Sequence, residues 1–414
     1  MARVAIIGGG IVGVCCAVFA RRAGHEVTLI EQADIGGGAS YGNAGIMSSG
    51  GCVPMALPGV VAKVPGMLLS PDGPLSIRWD YALKLFPWLI RFLRAARPDR
   101  VETISVALHE LLKRAHTAYE EIIDAASFDR QIASQGLLFV FSSKAAFDGS
   151  ARAREIRAAR GVKFEIIERD KLRALEPELA PNLPHGILFE EARHALDPGG
   201  LAKMLSKRFL SDGGCIEKAR VEAVTEREDS VTVSSARGSC PYDFAAVAAG
   251  AWSRRVLKTA RPTIPLDTER GYHVMLPDPN IVLARPILVS EFGFAVTPMR
   301  SGIRLSGLVE FAGLDAPPDY RKAERMLHQA KTILPGLNTA GGQYWMGHRP
   351  SLPDSMPVIG PARPHSRLLF AFGHGHQGVG FAAITGKIIA SLISGDRPPI
   401  EIGPFSPQRF GQAV

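Results

Sequence analysis

One arginine of the sequence has the surroundings of a group that could bind an anionic ligand. Arg349 lies in the stretch 347–360, which reads GHRPSLPDSMPVIG. A guanidinium group offers a planar pair of N–H donors that matches the two oxygens of a carboxylate. Arg349 could therefore fix a carboxylate and aim the adjoining carbon at a reaction partner, and the alternative is a structural arginine in a proline-rich turn.

The first residues of the chain contain a second chemical signal, a glycine motif between two strand-like runs. An apolar run at 4–7 precedes Gly8, Gly10 and Gly13 in the spacing G-x-G-x-x-G, and a second run ends on Glu31. These glycines permit a tight turn, a close approach to a pyrophosphate, and helix–strand packing. Glu31 can accept both hydroxyls of an adenosine ribose and disfavours a 2′-phosphate. The pattern predicts a dinucleotide site, whose further members are Ile11, Val12 and Gln32.

The choice between NAD and FAD depends on a second glycine-rich loop, at 36–45. Its sequence, GGGASYGNAG, follows Glu31 at a point where an NAD dehydrogenase should continue with another strand and helix. The loop resembles that of the D-amino-acid oxidase and glycine oxidase superfamily of flavoenzymes. The resemblance implies that Ser40, Asn43, Ala44 and Gly45 run along the pyrophosphate and reach the flavin of FAD, and the alternative is a plain surface turn.

Two later segments resemble further parts of the same flavin site. An apolar strand at 244–248 closes on Ala249 and Gly250, and Val221 would meet the adenine edge, although this strand could also be ordinary core. A third glycine loop, at 373–380, opens a helix whose positive dipole end would lie near the flavin N1–C2=O edge. The residues expected there are Gly375, Gln377, Gly378, Val379 and Gly380. His374 and His376 are expected to pack around the flavin, and the alternatives are acid/base groups or ligands, although two histidines at i and i+2 are not a metal site by themselves.

The resemblance also implies where a substrate would lie. The segment around Arg349 resembles the family motif G-x-R-P…D-x-x-P-x-I-G, whose arginine binds the substrate carboxylate. The stretch 269–273 resembles the segment in which related amino-acid dehydrogenases place a substrate-side Tyr or His. Tyr272 and His273 are therefore the other catalytic candidates.

Some residues of this region depart from the family pattern or have a plainer interpretation. The sequence Ala295-Val296-Thr297-Pro298 lacks a tyrosine that glycine oxidases carry, which argues against glycine as the substrate. No cysteine occurs at 344–350, where sarcosine oxidases attach flavin, so we expect non-covalent FAD. Arg304 and Glu310 are interpreted as the polar face of a strand.

The segment 53–98 is rich in Pro, Leu and Trp and resembles an insertion of the bacterial D-amino-acid dehydrogenases. Its apolar stretch 83–93 carries basic residues at Lys84 and Arg91, and two more follow at Arg94 and Arg97. Three interpretations stay open, namely a lid, a core helix and an interfacial membrane contact. The resembling dehydrogenases are associated with the inner membrane and pass electrons to the respiratory chain.

Composition excludes several classes of protein. The 414 residues carry a net charge of +8, but the Lys and Arg residues are scattered among acids, which argues against a nucleic-acid partner. Five cysteines without metal-ligand spacing predict a reduced, cytoplasmic chain that holds no metal. The apolar N-terminus superficially resembles a signal peptide, but its glycines fit the dinucleotide motif instead.

Together these observations predict an α/β fold with a Rossmann-like FAD-binding domain and an α+β substrate domain with a mixed, largely antiparallel sheet. We place the FAD-binding domain at 1–52, 195–265 and 345–414, and the substrate domain at 53–194 and 266–344. Either domain would then be discontinuous in sequence.

The expected activity is FAD-dependent oxidation of a D-amino acid or a cyclic imino acid such as D-proline or D-hydroxyproline. Hydride would pass from Cα to flavin N5, and the electrons would pass to a quinone or another acceptor, with the protein cytoplasmic or peripheral at the inner membrane. An oxidase that uses O2 and a flavoprotein subunit without amine turnover are the alternatives. A homo-oligomer is also compatible with the sequence.

Overall fold

The computed structural model describes residues 1–59, 64, 66, 73–257 and 264–411, so Pro65 and Pro71 of the proline-rich segment lie outside the described residues. The strands are β1 Arg3–Ile7, β2 Glu26–Glu31, β3 Ile46–Met47, β4 Leu75–Ile77, β5 Ile132–Ala133, β6 Leu137–Phe141, β7 Glu165–Glu168, β8 His185–Phe189, β9 Arg193–Ala195, β10 Cys215–Lys218, β11 Val221–Glu226, β12 Val231–Ser235, β13 Gly238–Tyr242, β14 Phe244–Val247, β15 Asp267–Leu276, β16 Ile287–Val289, β17 Phe294–Met299, β18 Gly302–Phe311, β19 Gln343–Ser351, β20 Val358–Pro361 and β21 Leu368–Phe372. The α-helices are α1 Ile11–Arg22, α2 Ala82–Ala95, α3 Pro98–Ile122, α4 Ala125–Gln131, α5 Lys144–Asp148, α6 Ala151–Ala159, α7 Arg169–Leu175, α8 Pro198–Ser211, α9 Ser253–Val256, α10 Arg321–Ile333 and α11 Gly378–Ser394.

A six-stranded sheet with the order β10-β2-β1-β14-β21-β20 forms the first half of the molecule. All neighbouring strands in it are parallel except β20, which pairs antiparallel with β21. Central strand β1 is almost wholly buried, as expected for a parallel strand that is covered on both faces. The predicted strand–helix–strand unit at the N-terminus is therefore formed as β1, α1 and β2.

Two layers cover this sheet. On one face, α1, α8 and α11 pack into a large apolar core, and on the other a three-stranded antiparallel sheet of β11, β12 and β13 covers β1 and β14. The helical segment Gly375–Ser394, which contains α11, is apolar and long enough to span a membrane, but 67% of its apolar window is buried inside the protein. Its packing against α1 and α3 identifies it as a core helix.

A nine-stranded mixed sheet forms the second half, with the order β19-β15-β18-β17-β16-β6-β8-β7 and β4 paired to β18. Its pairs are antiparallel except β16 with β6 and β18 with β4. Helix α10 covers one face of β15 and β18 through Met326, Ala330 and Ile333, and the opposite face is free to line a cavity. The predicted fold class, a Rossmann-like unit beside a largely antiparallel α+β unit, is confirmed.

Some element boundaries differ from those that the sequence predicts. The stretch 144–159 forms two helices, α5 and α6, because Gly149 and Ser150 interrupt it. Strand β19 pairs along its length with β15 of the nine-stranded sheet, so the domain boundary placed at 345 falls inside a strand. A boundary after Ser351 keeps that strand whole, and the other domain limits stay predictions.

The contact between α1 and α11 allows a test of the core. A Cβ atom at Gly386 would lie 2.6 Å from the backbone carbonyl group of Cys15, whereas a Cβ atom at Gly380 would lie 4.0 Å from its nearest neighbour. We expect Gly386→Ala to destabilise the protein by about 1–3 kcal/mol through overpacking. Gly380→Ala, on the same helix, should leave stability unchanged or raise it slightly. Thermal unfolding of both variants checks this, and equal melting temperatures would contradict the packing argument.

Candidate functional site

A large cavity of about 1560 Å³ lies where the two sheets meet. Its walls are built from the turn after β1, the end of β2, the loop at 36–44, the face of β15, β18 and β19, and the start of α11. Drug-sized ligands occupy pockets of about 300–1,000 Å³, so this cavity has room for a dinucleotide and a substrate together.

The turn between β1 and α1 leaves no space for side chains. Gly8 has a φ of +112°, and a Cβ atom there would lie 2.5 Å from the carbonyl oxygen of Ala248. A Cβ atom at Gly13 would lie 1.8 Å from the carbonyl oxygen of Gly8. Gly10 lies at the N-cap of α1, where unpaired N–H groups and the helix dipole favour an anion. The backbone thus forms a cradle of the kind that a pyrophosphate requires.

Glu31 ends β2 at the rim of this cradle. Its carboxylate accepts hydrogen bonds from the Gly9 N–H at 2.6 Å and from the Ala33 N–H at 2.8 Å. Two carboxylate oxygens have about four acceptor positions, so Glu31 can also accept ribose hydroxyls. Gln32 lines the cavity beside it.

The glycine loop at 36–45 is fixed from both sides. The Ser40 hydroxyl accepts a hydrogen bond from the Ile11 N–H at 2.9 Å, which joins the loop to the start of α1. Arg304, only 3% exposed, donates to the carbonyl oxygens of Tyr41 and Asn43 at 2.7 and 2.8 Å. Arg304 is therefore a buried residue that supports the glycine loop. It is not part of the polar strand face that the sequence had suggested.

The third glycine loop carries Gln377 to the cavity. The Gln377 side-chain amide donates to the Gly51 carbonyl oxygen at 2.7 Å, so the loop is tied to the segment that follows β3. The two histidines of this loop have different environments. His374 is buried, with Nε2 3.0 Å from the Thr385 hydroxyl, and burial lowers its pKa to about 3. His376 instead lines the cavity.

Arg349 lies on β19 and points along the cavity face of the nine-stranded sheet. Its guanidinium group donates to the carbonyl oxygens of Leu308 at 2.7 Å and Gly307 at 3.0 Å. These carbonyls belong to an irregular stretch of β18, in which the pairing with β15 shifts and Leu308 has a φ of +59°. A Cβ atom at Gly271 would lie 2.1 Å from the guanidinium carbon, so glycine is needed there. Each terminal nitrogen keeps a second N–H for a ligand.

A carboxylate and an imidazole stand beside Arg349. Glu269 is the cross-strand partner of Arg349 on the same sheet face and is 6% exposed. Its Oε2 lies 2.6 Å from Nε2 of His376, and its Oε1 accepts from the Ser351 hydroxyl at 2.5 Å. Burial alone would raise the pKa of Glu269, but His376, Ser351 and Arg349 outweigh it, and the pKa is lowered. Burial lowers the pKa of Arg349, which Glu269 opposes.

Tyr272, the second catalytic candidate, is hydrogen-bonded to neighbouring protein groups. The Tyr272 hydroxyl donates to Glu310 at 2.6 Å and accepts from the Asp319 N–H at 3.0 Å, although part of Tyr272 lines the cavity. Burial and Glu310 raise the pKa of Tyr272. Glu310 is itself 2% exposed and pairs with Lys322, so it too departs from the polar-face interpretation.

His273 lies under the glycine loop and outside the cavity lining. Its ring stacks on Trp345 with the centroids 4.9 Å apart, and Nδ1 lies 3.4 Å from the Gly42 carbonyl oxygen. Burial, followed by the charge of Arg304, lowers its pKa to about 3. A neutral, stacked imidazole suits a structural brace, so the sequence-based placement of His273 beside the substrate does not match the geometry.

Sequence reasoning missed one buried cation, Arg157 of α6. It lines the cavity, is 8% exposed, and lies over the ring of Phe139 at 5.1 Å. Its Nε donates to the Gly50 carbonyl oxygen at 2.9 Å, and no carboxylate pairs with it among the residues that the structure describes. Burial lowers its pKa to about 10. A buried cation without a counterion adds to the fit of the cavity for an anionic ligand.

The structure brings most of the predicted cofactor residues to one cavity. Those that line it are Gly8, Gly10, Ile11, Val12, Glu31, Gln32, Ser40, Asn43, Ala44, Val221, Ala249, Gly250, Gly375, Gln377, Gly378 and Val379. Gly13, Gly45 and Gly380 lie just behind this lining. Gly45 has a φ of +73° and packs on Ala195. This conformation and this close approach require glycine at position 45 without any direct contact with a ligand.

The cavity lining, the glycine cradle, Glu31 and the unpaired Arg157 fit an anionic dinucleotide, and the two sheets define a two-part flavoenzyme. Residues 3–392 match the family model described as FAD dependent oxidoreductase. The chain belongs to this family, and FAD is its cofactor. Within residues 1–59, 73–257 and 264–411, no group of three or more His, Cys, Asp or Glu could hold a metal ion.

Several known proteins are similar over the whole chain. A protein named D-amino-acid oxidase from Bradyrhizobium diazoefficiens is 39% identical over 98% of both chains. One named D-amino acid dehydrogenase from Agrobacterium fabrum is 28% identical over 98% of this chain and 99% of its own. Among solved structures, glycine oxidase from Geobacillus kaustophilus has a TM-score of 0.74 at 20% identity and covers 99% of both chains. The last likeness shows the fold alone.

The contact between Gly271 and Arg349 generates a test of the site. We expect Gly271→Ala to displace the guanidinium group and to weaken binding of a simple carboxylate such as propionate by roughly 10-fold or more. The FAD content should stay unchanged, because Gly271 is remote from the dinucleotide cradle. Val282→Ala is the control, since Val282 is 84% exposed and does not line the cavity. Titration followed by the flavin absorbance measures the affinity, and unchanged affinity in Gly271→Ala would contradict this role.

Proposed function

We propose that this protein oxidises the Cα–N bond of a free amino acid, either a D-amino acid or a cyclic imino acid of the proline type. The observation that carries the proposal is the partly buried Arg349 side chain on the wall of the FAD cavity, whose guanidinium group is anchored by two backbone carbonyls. The names of the relatives, D-amino-acid oxidase and D-amino acid dehydrogenase, support the same substrate class.

The chain's own residues would bind and orient this substrate. Arg349 holds the carboxylate through its free N–H donors, which fixes the position of the adjoining Cα. Bound FAD supplies the acceptor for two electrons and a hydride. The apolar wall from Trp88, Phe294 and Leu288 excludes water from the reacting carbon. An imine released to water hydrolyses to a keto acid, whereas a cyclic imine stays closed.

We also propose that electrons leave for a quinone at the inner membrane, with the protein in the cytoplasm. Helix α2 supports this through its two apolar faces. Leu85 and Trp88 pack inward against Phe311, while Leu83 and Phe86 are 89% and 61% exposed. Exposed Lys84, Arg91, Arg94 and Arg97 accompany this outer face, and Trp79 is 93% exposed just before the helix. An apolar stripe with basic flanks suits an anionic lipid surface.

An oxidase that uses O2 is the second candidate, and the relative named D-amino-acid oxidase favours it. A flavoprotein subunit without amine turnover is the third, and the elaborate support of Arg349 argues against it. Peroxide produced in stoichiometric amount during turnover in air would select the oxidase over the dehydrogenase.

Flavin reduction tests the substrate class. Anaerobic mixing with D- and L-amino acids, including proline and hydroxyproline, should bleach the flavin band near ~450 nm for one class. Arg349→Ala should lower kcat/KM for that substrate by about 100-fold or more, because the carboxylate loses its bidentate partner.

The control for this experiment is Arg363→Ala, since Arg363 has a 65% exposed side chain and pairs with Glu226 on the surface. It should behave as the wild type. A yellow protein that no amino acid bleaches would show that the substrate class is wrong while the flavin fold stands.

Vesicle binding tests the membrane contact. The double substitution Leu83→Ser with Phe86→Ser should reduce co-sedimentation with phosphatidylglycerol vesicles by roughly 10-fold or more, because two exposed apolar side chains are lost. Turnover with a soluble dye should not change. Val282→Ser is the matched control, since Val282 is 84% exposed elsewhere on the surface. Equal binding of both variants and the wild type would exclude α2 as the contact.

A further inference from the structure

The buried Glu269 carboxylate and the partly exposed His376 imidazole form a hydrogen-bonded pair at the cavity wall. Both carboxylate oxygens are occupied, Oε1 by the Ser351 hydroxyl and Oε2 by Nε2 of His376. An ionised carboxylate can only accept hydrogen bonds, so Nε2 must carry the hydrogen. When the imidazole is neutral, its lone pair is therefore on Nδ1.

This lone pair is available to a ligand. The His376 side chain is 37% exposed and lines the cavity, and no described residue forms a hydrogen bond with Nδ1. The other histidine of the loop, His374, turns away to Thr385. In its neutral form, an imidazole with a free nitrogen at a cavity wall has the geometry of a proton acceptor.

Arg349 places this acceptor beside the substrate. Glu269 and Arg349 are cross-strand partners on one sheet face, so Glu269 lies between the guanidinium group and His376. In an α-amino acid the carboxylate and the amine are attached to the same carbon. A carboxylate held by Arg349 therefore brings the amine towards His376. The charged groups that face His376 are Glu269 from β15 and Arg349 from β19.

We propose that His376 accepts the proton of the substrate ammonium group and that Glu269 positions it, an inference that rests on the proposed function. The N–H bond of the ammonium group breaks, its electron pair stays on the amine nitrogen, and the proton bonds to Nδ1 of His376. The resulting imidazolium is paired with Glu269. The neutral amine keeps the lone pair that forms the C=N bond as Cα loses its hydride. Water takes the proton from His376 after product leaves.

The pH dependence of flavin reduction tests His376. With a D-amino acid that reduces the wild type, His376→Gln should slow reduction by roughly 100-fold or more at about pH 7. At about pH 10 the amine is already neutral, so the variant should approach the wild-type rate within a factor of about 3. His328→Gln, an exposed histidine on α10, is the control and should match the wild type throughout. A deficit that is equal at every pH, or no deficit, overturns the proposal.

A second variant tests the positioning role of Glu269. In Glu269→Gln the amide oxygen can still accept from Nε2, but the imidazolium loses its counterion. The acid limb of the reduction rate should therefore move to lower pH, which a purely structural defect would not cause. An unmoved limb excludes the positioning role.

A binding measurement separates proton transfer from substrate binding. Propionate has the carboxylate but no amine, so its affinity should be the same in His376→Gln and in the wild type, with Arg349 intact. A loss of propionate affinity in His376→Gln would overturn the proposal by showing that His376 only supports Arg349. If no amino acid reduces the wild type, the proposed function fails and this inference falls with it. If the wild type is reduced and His376→Gln matches it at every pH, this inference alone fails.

Discussion

A guanidinium group held inside a protein needs partners for its charge and its five N–H donors, and this need organises the substrate half of the molecule. Arg349 meets it with the carbonyl oxygens of Gly307 and Leu308 and with the charge of Glu269. The carbonyls are available because β18 is irregular where it passes β15, and Leu308 accepts a positive φ of the kind that costs free energy elsewhere. Gly271 leaves the space that the guanidinium group fills.

Side chains of the nine-stranded sheet also join the two halves of the molecule. Arg304, on the same strand as the irregular stretch, donates to the glycine loop that belongs to the dinucleotide cradle. Trp345, on the strand of Arg349, packs where any side chain at position 42 would lie, since a Cβ atom there would approach its ring to 1.7 Å. Cofactor loop and substrate sheet are thus rigidly coupled, which is what hydride transfer between two bound molecules requires.

Positively and negatively charged side chains alternate around the cavity. Arg157 is a buried cation, Arg349 is a partly buried cation, and Glu269 is the buried anion between Arg349 and His376. A zwitterionic substrate would find a cationic partner for its carboxylate in Arg349 and a proton acceptor for its ammonium group in His376, which contacts Glu269. The unpaired Arg157 lies on a different wall, beside the segment that Gln377 also contacts.

The sequence by itself determined the dinucleotide unit and the identity of Arg349, because both depend on local spacing. The dinucleotide motif can be recognised without knowledge of the fold, because its residues are close in sequence and act through one turn, namely Gly8, Gly10, Gly13 and Glu31. The sequence could not determine the roles of Tyr272, His273 and His376. Alternation along β15 separates Tyr272 from His273. Glu269 and His273 are four residues apart on one strand, and only the tertiary structure decided that Glu269 meets His376 while His273 lies under the glycine loop. Glu269 and His376 are 107 residues apart, and such a contact is created by tertiary structure alone.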